Sequence, residues 1–331
     1  MSELRINNIT DRAGSSGPII AGVSTVTSTS HMVMPSGPTE MRGGRGRAIV
    51  FVGATPSTTT LIDAFDTTTA GNAFDFGDAS AARYNNGFGG CASATRGVIA
   101  DGTAMEYVIF SSSGGANDFG DHRVVSGSGA AIGHAADGVR GLLAGGYNAP
   151  ANLNTIDFIT IATTGKSSEY AEFDDGSTGG YSPMASPTRA VFARGGQNLN
   201  FINFTSGGKT QIFGDMRGDS RTAHIASCSS STRGIMAGGE APSRVNTITF
   251  ITLATLGNGT DFGDLLAGRN DHDAVSSSTR GFIVAGANPS KTNSIEFVTI
   301  ASTGNGQEFG DLTQARSQPS CCSDVHGGLG D

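Results

Sequence analysis

Six histidines, four cysteines and a scatter of carboxylates are the groups in this 331-residue chain from which a reactive site could be assembled. His31, His122, His134, His224, His272 and His326 fall in no His-Glu-x-x-His frame, and there is no Cys-x-x-Cys, so zinc has little support. Asp271-His272-Asp273 is the densest cluster, and its place after a closing motif reads as a solvated turn. Glu172, Asp174 and Asp175, around Phe173 and before Gly176, offer oxygen ligands for calcium. They lack a ligand loop of recognised spacing and read as a solvated acidic turn. No Gly-x-Ser-x-Gly elbow joins a strand to a helix, and Gly127-Ser128-Gly129 is a loop. The glycine-rich stretches lack the Gly-Lys-Ser/Thr ending of a phosphate loop. No catalytic residue, cofactor or metal is assigned, and the chain is expected not to be an enzyme.

The bulk composition narrows the partners. Net charge is −8 and the isoelectric point is near 5.2, which argues against nucleic acid. Arg42, Arg45 and Arg47 form the one basic cluster, read as structural or partner contacts. No run approaches the ~20 apolar residues of a membrane helix. The opening MSELRINNITDRAG has no apolar core, so a secretory signal is not expected. Four cysteines in this length do not make a disulfide framework.

The elements that would position any site are repeats. Thr232 to Asp264 reads strand, Gly238-Gly239, polar loop, a second strand from Asn246 with period-2 alternation, the turn Gly257-Asn258-Gly259, and Phe262-Gly263-Asp264. A strand-opening arginine recurs at 47, 96, 140, 189, 233 and 280, at intervals of 49, 44, 49, 44 and 47 by subtraction. A closing motif recurs at Phe76, Phe119, Phe173, Phe213, Phe262 and Phe309, with Phe173-Asp-Asp175 standing for Phe-Gly-Asp in the third unit. Middle strands align as Asn154 to Phe158, Asn200 to Phe204, Asn246 to Phe250 and Asn293 to Phe297, with weaker forms at Thr103 to Tyr107 and Thr60 to Ala64. Six units with a period in the forties predict a six-bladed, all-β propeller of four-stranded antiparallel blades over residues 42–331.

The tail fits the strand that precedes each arginine. Pro319 to Val325 is expected to complete the first blade and close the ring, removing open sheet edges. With His326 set at the arginine position, Cys321 falls level with Cys91 and Cys228, so these three are read as buried, unbonded packing residues. The repeated arginines and aspartates are expected to pair within or between blades, as architecture, since an active site needs asymmetry. Residues 1–41 do not match the repeat and are too short for a core of their own. They read as a strand-rich extended arm, either lying on the ring or a neighbour, or docking into a larger assembly through Arg5, Ile6, Ile9 and Arg12.

The strands ending in Gly145-Gly146, Gly195-Gly196 and Gly238-Gly239 resemble the kelch repeat, without its downstream Tyr and Trp. Thr299-Ile-Ala-Ser-Thr-Gly-Asn305 through Phe309-Gly-Asp-Leu312, with the Thr-Arg-Gly strand, is more closely similar to propeller-type repeats of tail-associated and structural proteins of marine tailed bacteriophages, cyanophages in particular. That resemblance spans residues 42–325, and the arm resembles leader segments of tail and fibre proteins. It implies a virion protein, tail- or fibre-associated, whose partners are other tail, baseplate or capsid proteins, with a host-surface glycan or protein and self-association left open. Neither nucleic acid nor membrane insertion is expected. Loops after the Gly-Gly strands differ most between units, so Tyr147, Asn148, Asn152, Glu240 and Arg244 are the candidate recognition residues. The alternatives are a purely structural brace or decoration protein, and a polysaccharide-acting propeller enzyme.

Overall fold

The computed structural model describes residues 46–83, 89–123, 132–148, 151–174, 181–194, 198–216, 224–240 and 242–329. Blade 5 shows how one repeat folds. Ala226–Ser229 turns back as Arg233–Ala237, which pairs with Thr247–Thr252, which pairs with Thr260–Asp264, all antiparallel. Neighbouring blades cover both faces of this sheet, which is why its second strand is the unbroken apolar run Ile235-Met236-Ala237. Five more sheets repeat the order, and their inner strands are neighbours around one axis, making a six-bladed propeller. Turns between strands one and two and between three and four lie on one end, here the arginine face. Loops between strands two and three and the blade-to-blade crossovers lie on the other, the loop face.

The ring closes as expected. Ser320–Ser323 pairs with Arg47–Phe51 from Ala48↔Ser323 to Phe51↔Ser320 and becomes the inner strand of blade 1. The register differs by one residue from the sequence reading. In other blades the residue three before the arginine caps the turn: Asp137 Oδ1 accepts the Arg140 N–H (2.6 Å) and Ser277 Oγ that of Arg280 (3.0 Å). In the tail Asp324 Oδ1 does this for Arg47 (2.8 Å). Cys322, opposite Ile49, therefore matches Cys91 and Cys228, and Cys321 does not. All four cysteines are buried and unbonded.

Two other alignments shift by three. Leu265 N–H donates to Asn246 O (2.7 Å) just past the closing motif of blade 5, and Phe173 N–H donates to Asn154 O (2.8 Å) in the same way. The motif of blade 3 is thus Tyr170-Ala171-Glu172, with Tyr170 against Phe158 as Phe262 is against Phe250. In blade 4 the third-strand aromatic is Phe201, set against Phe213, and Phe204 lies beyond the strand. At both places a second aromatic stands three residues away, and the hydrogen-bond ladder fixes which one faces the neighbouring strand.

Each repeated arginine reaches into the next blade. One guanidinium nitrogen donates to the carbonyl just past the next blade's third strand: Arg96 to Ile161 (3.0 Å), Arg189 to Leu253 (2.8 Å), Arg233 to Ile300 (2.9 Å), and likewise Arg47 to Phe110 and Arg140 to Phe204. Arg280 completes the circuit on Thr68 of blade 1 (2.9 Å). In five of the six blades the guanidinium also lies over an aromatic of its own blade, 4.2 Å over Tyr107 for Arg96 and 4.3 Å over Phe250 for Arg233. Among the described residues the expected arginine–aspartate pairing does not occur. The closing aspartates instead offer their main-chain carbonyls to N–H groups of the next blade's turn, as Asp78 does to Ala116 and Asp264 to Gly306 (both 2.8 Å).

The glycine after the arginine has a steric cause. A Cβ at Gly281 would lie 2.7 Å from Cys228 Sγ, and one at Gly234 would lie 2.5 Å from Met184 Sδ. Where the preceding blade's inner residue is Ala135 or Val275, the position holds Ala190 or Ala48 instead. Arg233→Ala should cost about 2 kcal/mol, from one charged hydrogen bond and one cation–π contact, read as a lower urea midpoint at unchanged slope. Gly281→Val should cost more, and Cys228→Ala in the same chain should restore part of it; full additivity of the two would contradict the contact.

Candidate functional site

Polar side chains gather at two places, the axis and the loop face. Inner strands present an unpaired hydrogen-bonding edge to the axis, and serines of three blades satisfy it. Ser229 Oγ accepts the Ala185 N–H (3.0 Å) and donates to Ala185 O (2.8 Å), Ser276 Oγ donates to Ser229 O (2.7 Å), and Ser323 Oγ donates to Ser276 O (2.5 Å). Blades 2 to 4 carry Ala92, Ala136 and Ala185 there, and the C-terminal turn uses the room. His326 Nε2 donates to Ala92 O (2.7 Å) while its Nδ1 accepts the Gly328 N–H (3.1 Å). A Cβ on Gly327 would lie 2.6 Å from Ala185 O, so only glycine fits beneath this mouth.

Between these mouths the cavity is about 50 Å³, lined by His134, Ser227, Ser276 and Cys321 among others. That is room for a few water molecules and too little for a sugar ring. Asp273 begins the inner strand of blade 6 at the loop-face end and is fully buried, accepting N–H groups from Ala274 (2.8 Å), Gly89 (2.9 Å) and Cys321 (2.7 Å). Burial pushes its carboxyl up to about 7 against those three donors.

Beneath the loop face runs a belt of buried polar residues that sequence reasoning missed. A β-bulge recurs in each pairing of third and fourth strands, and the third-strand residue after it is Asp63, Glu106, Asp157, Asn200, Thr249 or Glu296. All are buried. The four acids meet arginines of the incoming crossover: Asp63 with Arg316, Glu106 with Arg83 (2.7 Å), Asp157 with Arg123 (2.8 Å) and Glu296 with Arg269. Burial pulls Arg269 down to about 10, still protonated at neutral pH, so Glu296 is its counter-charge. The sequence signal was present: Arg83, Arg269 and Arg316 each stand five residues after a closing aspartate. In blade 4, Asp175 to Gly180 holds no arginine, and the acid is replaced by Asn200. Among the described residues, neither Asn200 amide atom finds a partner.

The recognition residues named from sequence stand on the loop face in two separate loops. Tyr147–Asn148 pairs with Ala151–Asn152 in a short hairpin of blade 3. In blade 5, Glu240 bridges to Arg244, whose Nε donates to Asn270 Oδ1 (2.8 Å). Arg5, Ile6, Ile9, Arg12, His31 and the Gly127–Gly129 loop lie outside the described residues. So does Asp175; Asp174 is exposed, 3.4 Å from Lys209 Nζ.

Asp271-His272-Asp273 is not a solvated turn. The His272 ring is fully buried, and a Cβ on Gly238 would come 2.6 Å from its Cε1. That contact accounts for a glycine in the Gly-Gly pair of this blade. Nε2–H of His272 donates to Ala237 O (3.0 Å), and burial drives the ring down to about 3, so it is neutral. Asp271 instead meets His224 Nδ1 (2.7 Å) and accepts from the Gln318 side chain (3.4 Å). His224, Asp271 and Gln318 hold equivalent places in three successive crossovers, each with left-handed φ (59°, 53° and 55°). Asp271 raises the His224 pKa above its ordinary value; burial works to raise Asp271, but the hydrogen bonds from His224 and Gln318 and the nearby histidine charge together outweigh it and hold that carboxyl low.

Among the described residues no three His, Cys, Asp or Glu side chains gather in a way that could hold a metal ion. Compared with known proteins, the chain matches no protein-family model and no curated protein.

Glu296→Gln strands the Arg269 charge and should cost about 3 kcal/mol or more in urea unfolding. Asn200→Val should gain about 1 kcal/mol by removing two orphaned polar atoms. The His224–Asp271 tie is strongest between about pH 4 and 6.5, and its His224 share is lost as pH rises through the raised folded pKa. Asp273 acts in the same direction, because the folded chain holds its proton more tightly than the unfolded chain between about pH 4 and 7. His224→Ala should therefore destabilise more at about pH 5.5 than at about pH 9, by comparison of urea midpoints.

Proposed function

We propose that this propeller is a structural component of a tailed-phage virion, fixed by the segment before residue 42 to other tail, baseplate or capsid proteins and presenting its loop face for recognition. The observation that carries the reading is a contrast between the two faces. Six arginine clasps and shared turn contacts repeat around the arginine face. On the loop face, the loops between second and third strands range from the tight turn at Asp101 to Thr103 to the paired segment Tyr147 to Asn152. A stiff scaffold with unlike loops on one end suits display, because loop changes there leave the core contacts alone. The axial cavity has no room for a saccharide, which weighs against a lyase or hydrolase acting down the axis. The phage setting itself rests on the repeat phrase and the Thr-Arg-Gly strand.

Antibody against the ring should label intact particles in electron micrographs of a producing culture. Label confined to the particle-free supernatant would overturn the virion assignment. Particles produced with a chain lacking residues 1–41 should carry no label if that segment is the attachment. Purified ring should then bind host cells, and Glu240→Ala with Arg244→Ala should weaken that binding; a ring that labels particles but binds no cell would be a brace.

A further inference from the structure

The arginine face carries two hollows at the same point of blades 3 and 5. One is about 220 Å³ and the other about 100 Å³. Each lies in the turn between third and fourth strands and is lined in part by the third-strand phenylalanine, Phe158 or Phe250, which is only half-buried. Threonines line both: Thr160 and Thr163 in blade 3, Thr252 and Thr255 in blade 5. These turns are locked in shape. Gly165 N–H donates to Phe119 O (2.7 Å) and Gly257 N–H to Phe213 O (3.1 Å), each in the preceding blade. The larger hollow adds Thr164 and the exposed Lys166.

An aromatic side chain beside hydroxyls that both donate and accept is suited to a polyhydroxylated ring, whose C–H groups pack on the aromatic while its hydroxyls exchange hydrogen bonds with threonine. A lysine at the rim adds a point charge for an anion. Arg140 pairs across the strands with Thr160, at the end of the strand that leads into the hollow. The geometry points to a binding site in the turn of blade 3 for one unit of an acidic polysaccharide, a carboxylated pyranose, with the blade 5 hollow taking a further unit more weakly. This site is on the opposite face from the loops discussed above and stands independently of the virion reading.

The test is a titration of the full chain with glucuronate, with glucose and with a galacturonate oligomer, followed by NMR or calorimetry. Glucuronate should bind saturably in the millimolar range, about −4 kcal/mol, and the oligomer more tightly. Thr164→Trp fills the hollow from an exposed turn position and should weaken glucuronate at least about tenfold while the thermal midpoint stays unchanged. Lys166→Ala should reduce the preference for glucuronate over glucose. Absence of saturable binding at about 10 mM, or binding indifferent to Thr164→Trp, overturns the site. Equal affinity for glucose and glucuronate overturns the acidic assignment.

Discussion

A guanidinium held between an aromatic ring of its own blade and a main-chain carbonyl of the next is the tie on which this ring depends. A blade cannot move outward without breaking it, because the carbonyl it grips has just left the next blade's third strand. The tie needs the blades to approach closely at one level, and the residue after each arginine sets that approach. Glycine stands where a cysteine or methionine arrives from the preceding blade, and alanine where the arriving residue is alanine or valine. Clasp and close approach are therefore one device, written as Thr-Arg-Gly in the sequence.

The same economy governs the axis. An inner strand has no further strand to pair with, so each of its exposed amides and carbonyls must be met by something small. Serine hydroxyls of blades 5, 6 and 1 reach across to the preceding blade, and the alanines of blades 2 to 4 leave the space that the tail turn occupies. The C-terminal segment thus serves twice, as the inner strand of blade 1 and as the seal beneath the channel. Its Gly327-Gly328 pair follows from the crowding of main-chain oxygens around that mouth.

The architecture was legible in the sequence because period, arginine spacing and closing phrase repeat independently of one another and agree. What was not legible was register where a phenylalanine recurs within three residues. Phe173 and Phe204 were matched by identity, yet Tyr170 and Phe201 hold the aromatic place, since a β-bulge and a ladder of main-chain hydrogen bonds decide which side chain faces the neighbour. Cys321 and Cys322 were beyond any pattern match, because adjacent residues point to opposite faces and only the capping role of Asp324 chooses between them. The buried acids were hidden differently. Asp157 and Glu296 sit in alternating strands as if solvent-facing, and their burial comes from a crossover that arrives from another blade.

That crossover couples blades by charge as well as by packing. An acid in the third strand is kept at blades 1, 2, 3 and 6, where an arginine arrives, and is absent from blade 4, where none does. A buried carboxylate without its partner would be costly, so acid and arginine must be gained or lost together. Blade 4 is the place where the pair has gone and a neutral amide remains. Its incoming crossover, like that of blade 5 with Thr249 at the bulge, is accordingly released from a constraint that binds the other four blades.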